Sequence, residues 1–113
     1  MRRVRQKAPD SKTIHNIAEK IRAGYNPVKI ILFGSLARGT ANKDSDIDLL
    51  IVKQTSKPFH KRWAEVCRIV SDLRRDIAFS PFVITPRELR RRLAEKDPFI
   101  LGILEEGKVL YAS

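Results

Sequence analysis

The chain has 113 residues, 42% hydrophobic and 32% charged, so its composition is typical of one globular domain and excludes a disordered protein. It contains one cysteine, no run near the ~20 apolar residues of a membrane span and no apolar segment after its basic start, so we expect a cytoplasmic protein without disulfides. The net charge of +10 favours an anionic partner, which includes nucleotides, RNA and acidic proteins.

The first predicted element is an amphipathic helix that follows a basic tail. Residues 1–10 are expected to form the tail, and residues 11–113 a single domain. Asp10 or Ser11 can cap the helix, because apolar residues recur after them at helical spacing. Gly24 is predicted to end this helix as a C-terminal stop.

Two strands follow, separated by a turn and a polar loop. Val28–Phe33 is rich in β-branched residues and bounded by glycine, which predicts a largely buried strand. Ser35–Arg38 is predicted to be a short helical turn, and residues 39–45 a loop. Ile47–Val52 then forms a second strand, with Asp46 at its entrance.

The next predicted element is a helix that Pro58 opens and that packs on the sheet. Its apolar stripe is expected to comprise Phe59, Trp63, Val66, Cys67, Val70 and Leu73, with the first two and Cys67 in the core. The residues expected to point outward from this helix are His60, Lys61, Arg62, Arg68 and Arg75.

A third strand and two further helices complete the prediction. The strand covers Ile77–Ile84, and Pro81 suggests that it lies at a sheet edge, a bulge or a strand end. Helices begin at the capping box Thr85–Glu88 and at Asp97, while residues 108–111 form a last short strand or a docked tail. Helices between strands predict an α+β domain with a small mixed β-sheet packed with helices.

Two aspartates stand one residue apart at the start of the second strand. Because the side-chain period of a strand is two, Asp46 and Asp48 are expected to point to one side. Two carboxylates that close repel each other unless a cation lies between them, and magnesium prefers such oxygens together with phosphate oxygens. A magnesium-bound polyphosphate would explain the pair, whereas a solvated strand edge is the simpler alternative.

The Gly-Ser turn before these acids is a candidate phosphate site. Gly34 lets a phosphate approach the backbone, and the backbone N–H groups and the Ser35 hydroxyl can donate to it. Arg38 either adds positive charge for the polyphosphate or braces the loop by pairing with Asp44. Gly39 is expected to supply the positive φ that ends the turn.

Together, the strings G-S-x-A-R-G and S-D-I-D-L-L resemble the motif of the minimal nucleotidyltransferases of the DNA polymerase β-like superfamily. The resemblance extends over most of residues 11–111 and implies the polymerase β-like fold. It also implies transfer of a nucleoside monophosphate, AMP from ATP or the equivalent group of another nucleoside triphosphate, to a hydroxyl acceptor with release of pyrophosphate. The residues it implies are Asp46 and Asp48 as catalytic ligands of two Mg²⁺ ions, and Gly34, Ser35, Arg38 and Ser45 for the nucleotide phosphates.

One position departs from the family pattern. Members of the family usually carry a third carboxylate on the strand before the Thr-Pro-x-Glu helix, and the matching position here is Ser80. Asp76 could replace it only if the strand register were shifted; its simpler role is to pair with Arg74 or Arg75 or to cap the strand. Without a third carboxylate, activation of the acceptor hydroxyl is the step expected to suffer.

The resemblance further implies a protein partner. Related minimal proteins are paired with helical HEPN-domain proteins as antitoxin and toxin, although a homodimer is equally allowed. Two alternatives remain open: a nucleotide- and partner-binding protein that has lost its chemistry, and an RNA-binding domain. RNA binding is not favoured, because it would place Asp46 and Asp48 beside a polyanion.

Overall fold

The computed structural model describes residues 8–113, so most of the predicted basic tail, including Arg2, Arg3 and Arg5, lies outside the described residues. The chain forms one four-stranded sheet with helices on both faces, which confirms the predicted α+β class. In chain order the elements are α1 (Ser11–Tyr25), β1 (Lys29–Phe33), α2 (Ser35–Arg38), β2 (Ile47–Val52), α3 (Phe59–Ile69), α4 (Ser71–Arg74), β3 (Phe79–Ile84), α5 (Pro86–Ala94), α6 (Pro98–Glu106) and β4 (Lys108–Ala112).

The sheet is mixed and has the strand order β3-β2-β1-β4. β1 pairs antiparallel with β2 and with β4, whereas β2 and β3 are parallel. The third predicted strand therefore lies at a sheet edge, where the missing N–H of Pro81 is tolerated. The last segment forms a strand and not a docked tail. None of the helices in residues 8–113 is both long and apolar enough to span a membrane.

Side-chain alternation divides the core into two layers. Ile47, Leu49 and Ile51 of β2 pack with α1 and α3 on one face of the sheet. Leu50 and Val52 point to the other face and pack with α5 and α6. Because strand residues alternate between faces, Asp48 lies on the same face as Leu50 and Val52. It is near the start of β2 and does not belong to the apolar cluster on that face.

The end of α1 differs from the prediction. The helix runs past Gly24 to Tyr25, and Asn26 stops it with a left-handed φ of 53°. Gly24 instead lies against α3, where an added Cβ would be 3.4 Å from Ile69. The start was predicted correctly, since Asp10 accepts a hydrogen bond from the Thr13 N–H.

The predicted faces of α3 were partly wrong. Phe59 and Trp63 are 49% and 54% exposed and are not core residues, and Cys67 is only half-buried. Arg62, predicted to point outward, is 5% exposed. The helix is also shorter than expected, because the chain departs from helical geometry at Val70 and continues as α4.

The buried Arg62 has partners that explain its position. Its guanidinium donates to both carboxylate oxygens of Glu88, at 2.7 and 3.2 Å, and to the carbonyls of Lys57 and Val83. Glu88 also closes the predicted capping box with Thr85. The hydrogen bonds from Arg62 and Thr85, with the positive charge of Arg62, hold the pKa of Glu88 below its ordinary value. This ion pair ties α3 to α5 at the edge of the sheet.

Candidate functional site

Strand pairing brings the two aspartates together with the serine of the neighbouring strand. Phe33 of β1 lies opposite Asp48, and Ser80 of β3 is the parallel partner of Asp48. Asp46 lies just before β2, and the Ser80 hydroxyl donates to its Oδ2 at 3.3 Å. Asp46 and Ser80 are exposed, while Asp48 is half-buried. Both acids therefore lie at one end of the sheet, around the same open side.

The Gly-Ser turn lies against Asp48, one member of this acid pair. Gly34 has a φ of 74° and a ψ of −157°, and a Cβ at this position would lie 2.3 Å from Oδ2 of Asp48. Such a separation is impossible for a real side chain, so only glycine allows the turn and the carboxylate to approach this closely. The following residues form α2, and Gly39 ends it with a φ of 78°, as predicted.

The electrostatics of the pair are unfavourable when both groups are ionised. Burial, and then the negative charge of Asp46, raise the pKa of Asp48, while Arg38 acts in the opposite direction. A cation between the two carboxylates would relieve this penalty. Within residues 8–113, no cluster of three or more His, Cys, Asp or Glu side chains is arranged to hold a metal ion. The protein oxygens at the site are thus two carboxylates and the Ser80 hydroxyl.

The strand register selects Ser80 as the third position of the site. Asp76 lies four residues earlier, exposed in the turn before β3 begins, whereas Ser80 is bonded to Asp46. The shifted register that would have aligned Asp76 with the acids is not adopted. A neutral hydroxyl thus occupies the place next to the two carboxylates.

Arg38 and Ser45 have partners other than those expected. Arg38 forms an ion pair with Glu106 of α6 at 3.5 Å, so the suggested pairing with Asp44 was wrong. Ser45 Oγ accepts a hydrogen bond from the Asn42 N–H, which orders the loop before β2. Ser45 therefore braces the approach to the acids, and its predicted phosphate contact stays a prediction.

A cleft of about 310 Å³ lies between the Gly34 turn and α6. The turn contributes Gly34 and Arg38 to it, and α6 contributes Phe99, Gly102 and Glu106. These α6 residues were not predicted from the sequence to belong to a site. The one local signal was a glycine in the interior of an otherwise apolar helix, a position where glycine is unfavourable.

The sequence matches the family model described as a nucleotidyltransferase domain over residues 14–110. A relative from Methanocaldococcus jannaschii, whose name is putative protein adenylyltransferase, is 36% identical, and the match covers 90% of this chain and 74% of the relative. A second protein of the same name from that organism is 30% identical, with 90% and 98% covered.

Solved structures show the same fold. A crystal structure of a putative nucleotidyltransferase from Sulfolobus solfataricus superposes with a TM-score of 0.60 at 21% identity, covering 89% of this chain and 78% of that one. A crystal structure of a toxin-antitoxin with AMP-PNP superposes with a TM-score of 0.58 at 23% identity, covering 88% and 73%.

We predict that the contact between Gly34 and Asp48 can be measured by alanine substitution. Gly34→Ala combines a positive φ with a steric overlap, and we expect it to lower the free energy of unfolding by about 3 kcal/mol. Gly39→Ala is the matched control, because its φ is also positive but nothing lies within 4 Å of the added Cβ; it should cost about 1 kcal/mol. If urea denaturation shows the same loss of unfolding free energy for both variants, the close contact between Gly34 and Asp48 is contradicted.

A second prediction concerns the charge of Asp48. Because its pKa is raised in the folded protein, ionised Asp48 destabilises the fold above that raised pKa, and the penalty disappears as the pH falls below the ordinary value of 3.8. Asp48→Asn should therefore stabilise the metal-free protein at pH 7 by about 0.5 kcal/mol or more, with no gain near pH 3.5. Asp76→Asn, in the exposed turn, serves as the control. A gain that is the same at both pH values would argue against a penalty for ionised Asp48 in the folded protein.

Proposed function

The chain belongs to the nucleotidyltransferase domain family, and we propose that it transfers AMP from ATP to a hydroxyl group of a protein partner. In this reaction the acceptor oxygen bonds to the α-phosphorus of ATP, the bond to the bridging oxygen of the β-phosphate breaks, and pyrophosphate and the hydroxyl proton leave. The observation that supports the proposal is the direct approach of the Gly34 turn to the Asp48 carboxylate, because it would place the proposed phosphate site beside the proposed metal site.

Asp46 and Asp48 are the residues that would hold magnesium. Their oxygens suit this hard cation, and burial together with the charge of Asp46 raises the pKa of Asp48, a penalty that a bound cation would offset. Bound magnesium would polarise the acceptor hydroxyl and stabilise the departing pyrophosphate. Gly34 gives the phosphates access to the backbone, and the Ser35 hydroxyl supplies a donor next to it.

Ser80 limits how well the chain can activate the acceptor hydroxyl. Its hydroxyl donates to Asp46 and is neutral at physiological pH, so it cannot replace a carboxylate as a base or as a strong ligand for a cation. We infer that the chain binds the donor nucleotide well but activates the acceptor weakly, unless the partner contributes a group of its own.

The proposed partner is a helical protein of the HEPN type, as in toxin-antitoxin pairs. One structural neighbour of the same fold is a toxin-antitoxin with AMP-PNP, and the net charge of +10 suits an acidic partner surface. A homodimer is the alternative arrangement. We expect either complex to form in the cytoplasm, where the sequence leads us to place this protein.

A second candidate function is a protein that binds nucleotide and partner without transferring AMP. The neutral Ser80 beside Asp46 is the observation that favours it, since it weakens only the chemical step. The two candidates make different predictions for the same experiment.

We predict that ATP labelled at the α-phosphate will transfer label to a protein partner that co-purifies with the chain, in the presence of Mg²⁺. The variant carrying both Asp46→Asn and Asp48→Asn should lose Mg²⁺-dependent ATP binding and all labelling, because both proposed ligands are neutralised. The control is the thermal unfolding of this variant, whose midpoint should not fall below that of the wild type. ATP binding without labelling would support the second candidate, and unchanged nucleotide affinity in the double variant would contradict the site.

A further prediction isolates the third position. Ser80→Asp places a carboxylate next to Asp46, and we expect it to increase the rate of AMP transfer about tenfold or more, since a positioned base contributes at least this much. Ser80→Ala is the matched control and should change the rate less than twofold, because the hydroxyl is not expected to act in the reaction. A rate that Ser80→Asp leaves unchanged would show that acceptor activation does not depend on this residue.

A further inference from the structure

The cleft between the Gly34 turn and α6 is continuous with the proposed phosphate site but has a different chemistry. Gly34 and Arg38 line it on one side, and Phe33, Phe99 and Ile103 give it apolar walls. Its volume of about 310 Å³ lies within the range of small-molecule sites. A ligand held at the turn could therefore extend into the cleft without leaving the protein surface.

The charges favour an uncharged part of the ligand in this cleft. Glu106 lies at its wall and pairs with Arg38, so the positive charge of Arg38 is compensated there. A triphosphate would be repelled by Glu106, whereas hydroxyl and amino groups could donate to its carboxylate. The phosphates therefore belong on the side of Asp46 and Asp48, and a neutral, donor-bearing group belongs in the cleft.

Phe99 offers an aromatic surface at the cleft. It is 50% exposed although it is large and apolar, and two other rings support it. The Phe33 ring lies 5.8 Å from it at an interplanar angle of 85°, and the Phe82 ring lies 5.9 Å from it. A planar ligand group that covers Phe99 would remove this apolar surface from water.

Gly102 keeps the cleft open. It lies three residues after Phe99, so the two share one side of α6, and an added Cβ would meet no atom within 4 Å. Glycine in a helix interior costs about 1 kcal/mol relative to alanine. The empty space beside Gly102 thus coincides with the cleft, and the residue is suited to a ligand that needs this room.

We propose that this cleft binds the nucleoside part of ATP, with the base stacked on Phe99 and donor groups of the ribose or base bonded to Glu106. The proposal rests on the proposed function, since it assumes that the triphosphate lies at the Gly34 turn. It adds a binding site for the base and ribose that is separate from the residues that hold the phosphates.

The test compares two ligands that differ only in the nucleoside. ATP and inorganic tripolyphosphate, each with Mg²⁺, are titrated into the wild type and its variants by calorimetry. Phe99→Ala should lower the affinity for ATP about tenfold, as expected for loss of one stacked base, and change that for tripolyphosphate less than twofold. Leu101→Ala is the matched control, because Leu101 is a 42% exposed apolar residue on the same helix that does not line the cleft.

A second variant guards against loss of packing around Phe99. Gly102→Leu fills the cleft and improves the helix propensity of α6, so thermal stability should be retained. The affinity for ATP should fall about tenfold, as for Phe99→Ala. If the two variants weaken ATP and tripolyphosphate equally, or weaken neither, the nucleoside site is refuted. Wild-type protein that binds both ligands equally well would also refute it while leaving the phosphate site intact. Wild-type protein that binds neither ligand would overturn the proposed function itself.

Discussion

The approach of the Gly34 backbone to the Asp48 carboxylate is the contact on which the candidate site depends. It follows from the β1–β2 register, which places Phe33 opposite Asp48 and so brings the next residue over the carboxylate. That register is fixed by burial, because a shift of one residue would move Leu50 and Val52 to the opposite face of the sheet. The apolar core therefore determines where the turn and the acid meet, although neither belongs to it.

The site retains an electrostatic penalty in a strongly basic protein. The chain has a net charge of +10, but among residues 8–113 Arg38 is the cation that lowers the pKa of Asp48, and it also pairs with Glu106. By contrast, Glu88 is neutralised by the buried Arg62. Two carboxylates this close, one of them half-buried, are costly for the free protein when both are ionised.

The sequence predicted most elements and the acid pair, because both depend on local patterns. Strand alternation placed Asp46 and Asp48 on one side, and cap residues located the starts of α1, α5 and α6. The exposure of Trp63 was not predicted, since an apolar stripe on a helix does not show which of its edges faces the sheet. The burial of Arg62 was not predicted either, because it depends on Glu88, a partner distant in the sequence. The Arg38–Glu106 pair joins residues 68 positions apart, so it was equally invisible.

The two halves of the proposed reaction are unequally represented in the fold. On the proposed function, the donor half consists of the Gly34 turn, the two carboxylates and the cleft, which are formed by β1, α2, the start of β2 and α6. The acceptor half offers only Ser80, exposed on an edge strand whose outer side has no strand neighbour among residues 8–113. On the proposed function, this open edge is a route by which an acceptor would approach the acids. On the proposed function, specificity for the acceptor must then lie in the surface of the partner protein, because the chain itself fixes only the nucleotide.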